Sequence, residues 1–124
     1  MPTLCLLAAG ATVRLGTVAL TLGWTHSIEK IRWEEDYHAT PAGIVLTEDR
    51  VQGTGAGMEP PAGAKFDGQW WRYKPQVGPL PQVVLRRSGM TVGDWQVCIA
   101  GTCKPMGAYL PDPKADPVTL TTCP

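Results

Sequence analysis

The residues with the widest range of possible chemistry lie in one short segment, between positions 26 and 38. This segment holds both histidines of the chain, and its acidic side chains outnumber its basic ones. Its polar members are His26, Ser27, Glu29, Lys30, Arg32, Glu34, Glu35, Asp36 and His38. A histidine near carboxylates can act as a general base, bind a metal ion or contact a cationic solute. The segment is therefore the first candidate for a functional site.

Three interpretations of this cluster compete. As an enzyme site it would need His26 to activate Ser27, but adjacent strand residues point to opposite faces, and the chain has no GxSxG nucleophile motif. As a ligand site it would use Glu34 with His38, or His26 with Glu29, to hold a cation. If the cluster has only a structural role, it forms cross-strand ion pairs on a solvated face, and each pair contributes about a few tenths of a kcal/mol to stability. Residue chemistry alone favours the structural interpretation, and we expect no catalytic residue, no metal and no cofactor.

A glycine-rich segment, residues 53–65, has the superficial form of a phosphate-binding loop. In nucleotide-binding proteins such a loop opens a helix, whereas here Gly57 is followed by Met58, Glu59 and two prolines, and no GK[ST] motif is present. Nucleotide binding is therefore disfavoured. The glycines indicate a loop that needs positive φ angles or that brings backbone close to a partner.

Paired aromatic residues occur once, in the run Trp70-Trp71-Arg72-Tyr73. They could form a stacking platform for a carbohydrate or another aromatic group. On a strand, however, adjacent aromatic rings point to opposite faces, so one ring enters the core and the other borders a surface groove. We favour the core interpretation and keep Trp71 as a candidate contact residue.

Four cysteines allow up to two disulfides. If Ala100-Gly101 is a two-residue turn, Cys98 and Cys103 face each other on a hairpin, at a separation that a disulfide can bridge. Cys5 and Cys123 lie near the two termini, and their pairing stays open. A zinc site would need a second closely spaced pair of ligands, which the sequence does not offer.

The elements that position these residues are predicted to be strands. From Thr17 to Thr25 apolar and small or polar residues alternate with the period of a half-buried strand. Residues 28–40 alternate in part, followed by a turn at Pro41-Ala42-Gly43 and a second run to Val51. One face of this hairpin would carry Trp33, Glu35, Tyr37 and Ala39, and the other Glu34, Asp36 and His38. A helix over residues 29–36 is the alternative, because its charges pair at i,i+4 spacing.

The remaining pattern indicates an all-β, single-domain antiparallel β-sandwich or small barrel with short hairpins. Further strands are predicted around GQWWRYK, QVVLRRS, DWQVCIA and TCKPM. We place the β domain at residues 1–106. Residues 107–124 would form a Pro-rich, partly ordered tail with one short strand at 118–121 and a loose end.

Composition excludes several classes of protein. The chain has 124 residues, of which 44% are hydrophobic and 18% charged, so a single folded core is expected rather than disorder. Lys plus Arg (11) balance Asp plus Glu (11), which argues against nucleic-acid binding. Twelve prolines and 14 glycines interrupt every apolar stretch before it reaches membrane-spanning length. No signal peptide is clearly visible, because the apolar run from Leu4 to Ala11 lacks a charged leader, and we interpret it as a first strand and turn.

The stretch WTHSIEKIRWEEDY, the downstream GTGAGMEPP and the following GQWWR together resemble the bacterial DUF1850 family. The resemblance covers most of the chain between about Leu4 and Cys103, although Ile28 replaces the usual valine and Glu59 precedes the prolines. The matched residues are His26, Ser27, Glu29, Glu34, Glu35, Tyr37, Gly55, Ala56, Gly57 and Met58.

The resemblance implies a role in solute uptake. Members of the family are commonly encoded beside the permease and the TAXI-type solute-binding protein of tripartite ATP-independent periplasmic (TRAP) transporters. We therefore expect a non-enzymatic accessory or regulatory protein in the periplasm or another extracytoplasmic compartment, reaching the membrane only through a partner. The alternative is a small-ligand or metal-binding module that uses His26, Glu29 and Glu34. The candidate contact surface comprises His26, Ser27, Glu29, Glu34, Glu35, Tyr37, Gly55, Gly57, Met58 and Trp71.

Overall fold

The computed structural model describes residues 2–25, 31–53, 63–87 and 94–124, and these form mainly antiparallel β-strands. The strands are β1 (Leu4–Ala8), β2 (Ala11–Arg14), β3 (Ala19–Thr25), β4 (Arg32–Thr40), β5 (Gly43–Gln52), β6 (Lys65–Phe66), β7 (Trp70–Tyr73), β8 (Gln82–Leu85), β9 (Gln96–Ile99), β10 (Thr102–Pro105) and β11 (Val118–Thr122). A short 3₁₀ helix, Met106–Tyr109, follows β10. In the part of the chain that is described, no helix is long and apolar enough to cross a membrane.

The strands form two sheets that pack as a sandwich. The larger sheet has the order β10-β9-β3-β4-β5-β7-β6, and the smaller one has the order β2-β1-β11-β8. The prediction of an all-β sandwich is confirmed, and the described strands do not close into a barrel. The largest fully buried side chains come from both sheets and from the 3₁₀ helix: Leu4, Leu6, Leu22, Ile44, Val97, Met106, Val118 and Leu120.

The alternation predicted for the first two strands of the larger sheet is confirmed. Leu20 and Leu22 of β3 are buried, and they lie opposite Tyr37 and Glu35 of β4. The helix considered for residues 29–36 is wrong from Arg32 onward, because β4 begins at that residue. Pairing with strands on both sides satisfies the backbone of β4, and this gain outweighs the weak local preference that i,i+4 charge pairs give a helix.

An irregularity in β5 changes which side chains face the core. Asp36 lies opposite Glu48, but the next residue, Tyr37, lies opposite Leu46, so Thr47 is the extra residue of a β-bulge. Before the bulge the even-numbered residues of β5 face inward, and after it the odd-numbered ones do. Asp49 therefore joins the inner face, and Arg50 lies on the outer face.

The predicted turn between β4 and β5 is present, and its glycine has a specific role. Gly43 has φ of 129°, and a Cβ at this position would lie 2.5 Å from the carbonyl oxygen of Leu80. The neighbouring Ile44 exchanges two backbone hydrogen bonds with Leu80, at 2.7 and 2.8 Å. Glycine thus allows the segment before β8 to approach the hairpin.

The C-terminal segment is anchored, which differs from the loose end expected from its prolines. Strand β11 pairs with β1 on one side and with β8 on the other. Beyond it, Cys123 forms a disulfide with Cys5, and its backbone N–H donates to the carbonyl of Thr3 at 2.8 Å. The strand is held because Val118 and Leu120 supply core side chains that proline-rich composition did not reveal.

Asp94 joins three parts of the chain near the end of the sandwich. Its carboxylate accepts two hydrogen bonds from the guanidinium of Arg87, at 3.1 and 2.8 Å. It also accepts from the backbone N–H of Gly107 at 2.8 Å and from that of Trp95 at 2.9 Å. One carboxylate therefore joins the segment that follows β8, the residue that precedes β9 and the 3₁₀ helix.

Candidate functional site

Polar side chains of the larger sheet are divided between its two faces. Glu34 and Glu35 are consecutive residues of β4, so their side chains point in opposite directions. Glu35 belongs to the inner face, which faces the smaller sheet, and Glu34 belongs to the outer face. The cluster seen in the sequence is thus two separate sites.

The inner acidic site is arranged as two rows across β4, β5 and β7. In one row Glu35 lies opposite Asp49, and Asp49 lies opposite Tyr73. In the adjacent row Trp33 lies opposite Val51, and Val51 lies opposite Trp71. We define the inner acidic site as Trp33, Glu35, Tyr37, Asp49, Trp71 and Tyr73. All of them except Tyr37 keep partial solvent exposure.

The two carboxyl groups of this site favour a state that holds a proton. Burial, followed by the charge of Asp49 and a hydrogen bond with it, raises the pKa of Glu35 to about 7, against a smaller lowering effect of Tyr37. Burial also raises the pKa of Asp49, although hydrogen bonds from Tyr73 and Glu35 oppose that change. Because neighbouring carboxylates repel each other, the pair keeps a proton to higher pH than an isolated carboxyl would.

The tyrosines of the site are held in their neutral form. Burial and the neighbouring carboxylates raise the pKa of Tyr73 to about 12, and the same two causes raise that of Tyr37 further. Both hydroxyls therefore remain donors to the acidic pair across the physiological range.

Three polar atoms of the inner acidic site are buried and have no hydrogen-bond partner among the described residues. They are the indole Nε1 of Trp33, the indole Nε1 of Trp71 and one carboxylate oxygen, Oδ1, of Asp49. Leaving a buried polar group unpaired costs about 1 to 3 kcal/mol, so most such groups in proteins find a partner. The inner face therefore holds two donors and one acceptor without a partner among the described residues, one on each of β4, β5 and β7.

Aromatic contacts fix the two indoles. Trp33 stacks on Trp24 with ring centroids 5.4 Å apart and an interplanar angle of 4°. Trp71 packs against Phe66 with centroids 5.0 Å apart. These contacts restrict the rotamers of both tryptophans, so the direction of each indole N–H group is fixed.

The outer face carries a network of ion pairs centred on Arg50, whose side chain is only 13% exposed. Its guanidinium donates to Glu34 at 2.8 Å and to both oxygens of Asp36, at 2.8 and 3.0 Å. Thr21 donates to Asp36 at 2.6 Å. Burial alone would raise the pKa of Asp36, but the hydrogen bonds from Arg50 and Thr21 lower it below the usual value.

The network continues along the sheet to β7. Arg50 also contacts Glu48 at 3.2 Å, and Glu48 accepts from Arg72 at 2.8 Å. Arg72 in turn pairs with Asp67 at 2.7 Å. We define the outer ion-pair network as Glu34, Asp36, Glu48, Arg50, Asp67 and Arg72. Every carboxylate of the network contacts a guanidinium group, but four carboxylates share two arginines, so the network carries an excess of negative charge.

A shallow cavity of about 500 Å³ lies beside this network. Its lining includes Thr21, Asp36, His38, Arg50 and the disulfide hairpin of Cys98 and Cys103. The cavity gives the outer face a concave feature next to fixed charges. A partner surface could place a side chain there.

Both cysteine pairs are disulfides. Cys98 and Cys103 lie on one rung of the β9–β10 hairpin with Cα atoms 4.0 Å apart, which confirms the predicted bridge. The turn residues Ala100 and Gly101 both have positive φ, 51° and 83°, as a type I′ turn requires. The pairing of Cys5 with Cys123, which the sequence left open, also occurs, and no cysteine remains for a zinc site.

The structure assigns the sequence candidates to different places. Glu35, Tyr37 and Trp71 share the inner face, whereas Glu34 belongs to the outer network. Asp49 and Tyr73 were missed as site residues. A strand pattern with strict alternation gives no signal for Asp49, because only the bulge at Thr47 turns it inward. The candidates that lie outside the described residues are His26, Ser27, Glu29, Gly55, Gly57 and Met58.

The raised pKa of Glu35 predicts how stability depends on pH. Its value in the folded protein, about 7, exceeds the ordinary value of 4.5. Between these values the folded protein keeps a proton that the unfolded chain has released, so stability falls as pH rises through this window and levels off above it. In Glu35→Gln the amide replaces the protonated carboxyl. We expect this variant to exceed the native protein in stability by about 2 kcal/mol at about pH 8. One pKa unit corresponds to about 1.4 kcal/mol, and the partial solvent exposure of the carboxyl reduces the effect below that of the full shift.

Urea unfolding on the acidic and alkaline sides of this window measures the effect. Glu34→Gln is the matched control, because it changes the neighbouring residue on the other face and should keep the native pH dependence. A Glu35→Gln variant with the same pH dependence as the native protein would contradict the assignment of a raised pKa to this carboxyl.

Fold and disulfides together define the class of protein. Disulfides persist in oxidising compartments, so two of them in a small β-sandwich indicate an extracytoplasmic protein. The chain belongs to the family described as Domain of unknown function (DUF1850), whose profile matches residues 20–106. The matched part extends from β3 to the start of the 3₁₀ helix and includes both polar sites. Comparisons with curated proteins and with solved structures give no match.

Proposed function

We propose that this protein is a non-enzymatic accessory or regulatory component of a TRAP-type solute uptake system. It acts in the periplasm through contacts with the permease or with the TAXI-type solute-binding protein. Two lines of support exist. The chain belongs to the DUF1850 family, and the resemblance to that family implies an association with such transporters. Its two disulfides fit an oxidising compartment.

The observation that carries the proposal is the outer ion-pair network. Arg50 contacts two carboxylates at 2.8 Å, and its side chain is largely buried. Charges that are already fixed lose little conformational entropy when a partner binds, and they select partners by electrostatic complementarity. A flat sheet face with fixed charges of both signs beside a concave feature has the properties of a specific contact surface.

The same geometry weakens the alternative of a ligand or metal module built on His26, Glu29 and Glu34. Both carboxylate oxygens of Glu34 already accept from guanidinium groups, Oε1 from Arg50 at 2.8 Å and Oε2 from Arg32 at 3.4 Å. A metal ion would have to displace both contacts. His26 and Glu29 lie outside the described residues, so Glu34 is the only member of that set with a known environment.

Affinity purification of the tagged protein from the envelope of its own bacterium tests the proposal. We expect the permease or the solute-binding protein to be recovered with the native chain. Recovery should fall at least tenfold for Glu34→Lys, because the reversed charge disrupts the outer network, and for His26→Ala with Glu29→Ala, which changes the matched family motif.

Arg14→Gln is the control, since this exposed residue of β2 lies on the other sheet. We expect the permease or the solute-binding protein to be recovered with the Arg14→Gln variant as with the native chain. Equal recovery for all variants, or unchanged solute uptake in a strain that lacks the gene, would overturn the proposed accessory role.

A further inference from the structure

A second cavity, of about 450 Å³, lies at the end of the larger sheet that holds β6 and β7. Small-molecule sites in proteins have volumes of about 300 to 1,000 Å³, so this space is large enough for a ligand. Its lining includes Glu48, Lys65, Arg72, Lys74 and Gln76. We call it the basic cavity, because positively charged side chains predominate among the described residues that line it. Its charge is therefore opposite to the negative excess of the outer ion-pair network that it adjoins.

The pairing of the strands places positive charges side by side at this cavity. Lys65 of β6 lies directly opposite Arg72 of β7, and Arg72 lies opposite Arg50 of β5. Residues in such positions share a face of the sheet, and like charges there repel each other. Lys74 comes two residues after Arg72 and lines the same cavity. The arrangement therefore requires negative charge to compensate it.

Carboxylates of the chain compensate the arginines but not the two lysines. Arg72 pairs with Asp67 at 2.7 Å and with Glu48 at 2.8 Å, and these contacts fix its guanidinium. Over the described ranges of the chain, neither Lys65 nor Lys74 forms an ion pair. Both lysines are exposed, and each ammonium group has three hydrogen-bond donors on a flexible stem. Two positive charges are therefore available to an anionic ligand at one cavity.

The separation of the two lysines indicates the form of that ligand. Lys65 and Lys74 are diagonal neighbours, because Lys74 is two residues beyond Arg72, the residue opposite Lys65. Such neighbours on adjacent strands are about 7 to 8 Å apart. Two cations at this spacing match two negative groups joined by a short chain better than they match one compact anion. Arg72 offers no free fork to a phosphate, because its Nε and Nη1 already donate to carboxylates.

We propose that the basic cavity binds a small molecule that carries two carboxylate groups joined by a short chain. One carboxylate accepts from Lys65 and the other from Lys74, and the side-chain amide of Gln76 is a further donor in the lining. The bound molecule compensates the two charges that the chain leaves uncompensated. The inference goes beyond the accessory role, because binding of a small molecule requires no partner protein, and each can fail without the other.

Isothermal titration calorimetry of the purified full chain at low ionic strength tests the proposal with three probes. Glutarate has two carboxylates separated by three methylene groups, acetate has one carboxylate, and inorganic phosphate concentrates its charge at one centre. We expect saturable binding of glutarate, with acetate and phosphate weaker by at least about tenfold. Added sodium chloride should weaken the binding of glutarate, because salt screens the charges of exposed lysines.

Single variants locate the binding. Lys65→Gln and Lys74→Gln each remove one charge and keep a polar side chain, and each should weaken the binding of glutarate at least about tenfold. Lys114→Gln is the matched control, because it removes the same charge from an exposed lysine outside the cavity lining. Its affinity for glutarate should equal that of the native chain. All three residues are exposed, so we expect the variants to fold, and a circular dichroism spectrum of each verifies this.

Each contrary result overturns the inference. Absence of saturable glutarate binding shows that the two lysines are ordinary solvated charges. Equal affinity for phosphate or acetate shows that the cavity does not recognise two separated carboxylates. Native affinity in folded Lys65→Gln or Lys74→Gln places the bound molecule elsewhere. An equal loss in Lys114→Gln shows that only the net charge of the protein attracts the anion.

Discussion

Replacing Cys5 and Cys123 together with alanine should lower the free energy of unfolding by about 5 kcal/mol, whereas replacing Cys98 and Cys103 should lower it by about 2 kcal/mol. The reason is the length of chain that each bridge closes. The first pair is separated by 118 residues and the second by five. A longer closed loop removes more conformational freedom from the unfolded chain.

Denaturant unfolding of the two double variants under oxidising conditions measures the difference. The Cys98 and Cys103 variant is the internal control, because it loses the same number of sulfur atoms and keeps the long-range bridge. Equal losses in the two variants would contradict the loop-length argument. They would show that local packing around each bridge, rather than restriction of the unfolded chain, sets its contribution.

Replacing Asp94 with alanine should lower the free energy of unfolding by about 3 kcal/mol, because it leaves a largely buried guanidinium without its partner. The Arg87 side chain is only 11% exposed, and its guanidinium pairs with the carboxylate of Asp94 and donates to the carbonyl of Ala115 at 2.8 Å. The substitution also leaves the backbone N–H groups of Gly107 and Trp95 without the acceptor they have in the native protein.

Two further variants separate charge from hydrogen bonding in this prediction. Asp94→Asn keeps an acceptor but removes the charge, and it should lose less stability than alanine. Asp112→Ala is the matched control, because this exposed carboxylate accepts from the backbone of Lys114 and forms no ion pair with an arginine in the described part of the chain. It should cost less than about 1 kcal/mol. Equal losses for Asp94→Ala and Asp112→Ala would show that Asp94 does not join the three segments.

Local pattern was sufficient to predict the parts of the fold that depend on neighbours in sequence. The alternation of Leu20, Leu22 and Trp24 predicted β3, and the pair Ala100-Gly101 predicted the hairpin that brings Cys98 to Cys103. These features are set by the period of a strand and by the φ angles that a two-residue turn requires.

Features that depend on distant partners could not be predicted in the same way. Cys5 and Cys123 meet because β11 inserts beside β1, and nothing in either local sequence indicates that pairing. The prolines of the C-terminal segment indicate a loose end by local criteria. Tertiary contacts of Val118 and Leu120 override that preference.

The candidate site lies between these two cases. Alternation along β4 placed Glu35 and Tyr37 on one face and Glu34 on the other, as the structure does. Asp49 needed one more fact, the extra residue at Thr47, which follows from how β5 fits against β4 rather than from the residues of β5. The acidic pair of the inner site was therefore invisible while strict alternation was assumed.

The position of β11 has a consequence for the order in which the molecule can be built. The strand at the middle of the smaller sheet is the last of the described strands to be synthesised, and β1 and β8 flank it without pairing with each other. Until Val118–Thr122 has been synthesised, β1 and β8 have no strand between them, and the core lacks the side chains of Val118 and Leu120. The neighbouring thiols of Cys98 and Cys103 can meet before then, while Cys5 must wait for a partner synthesised 118 residues later. We therefore expect the hairpin bridge to close first and the bridge between the termini to complete the oxidised protein.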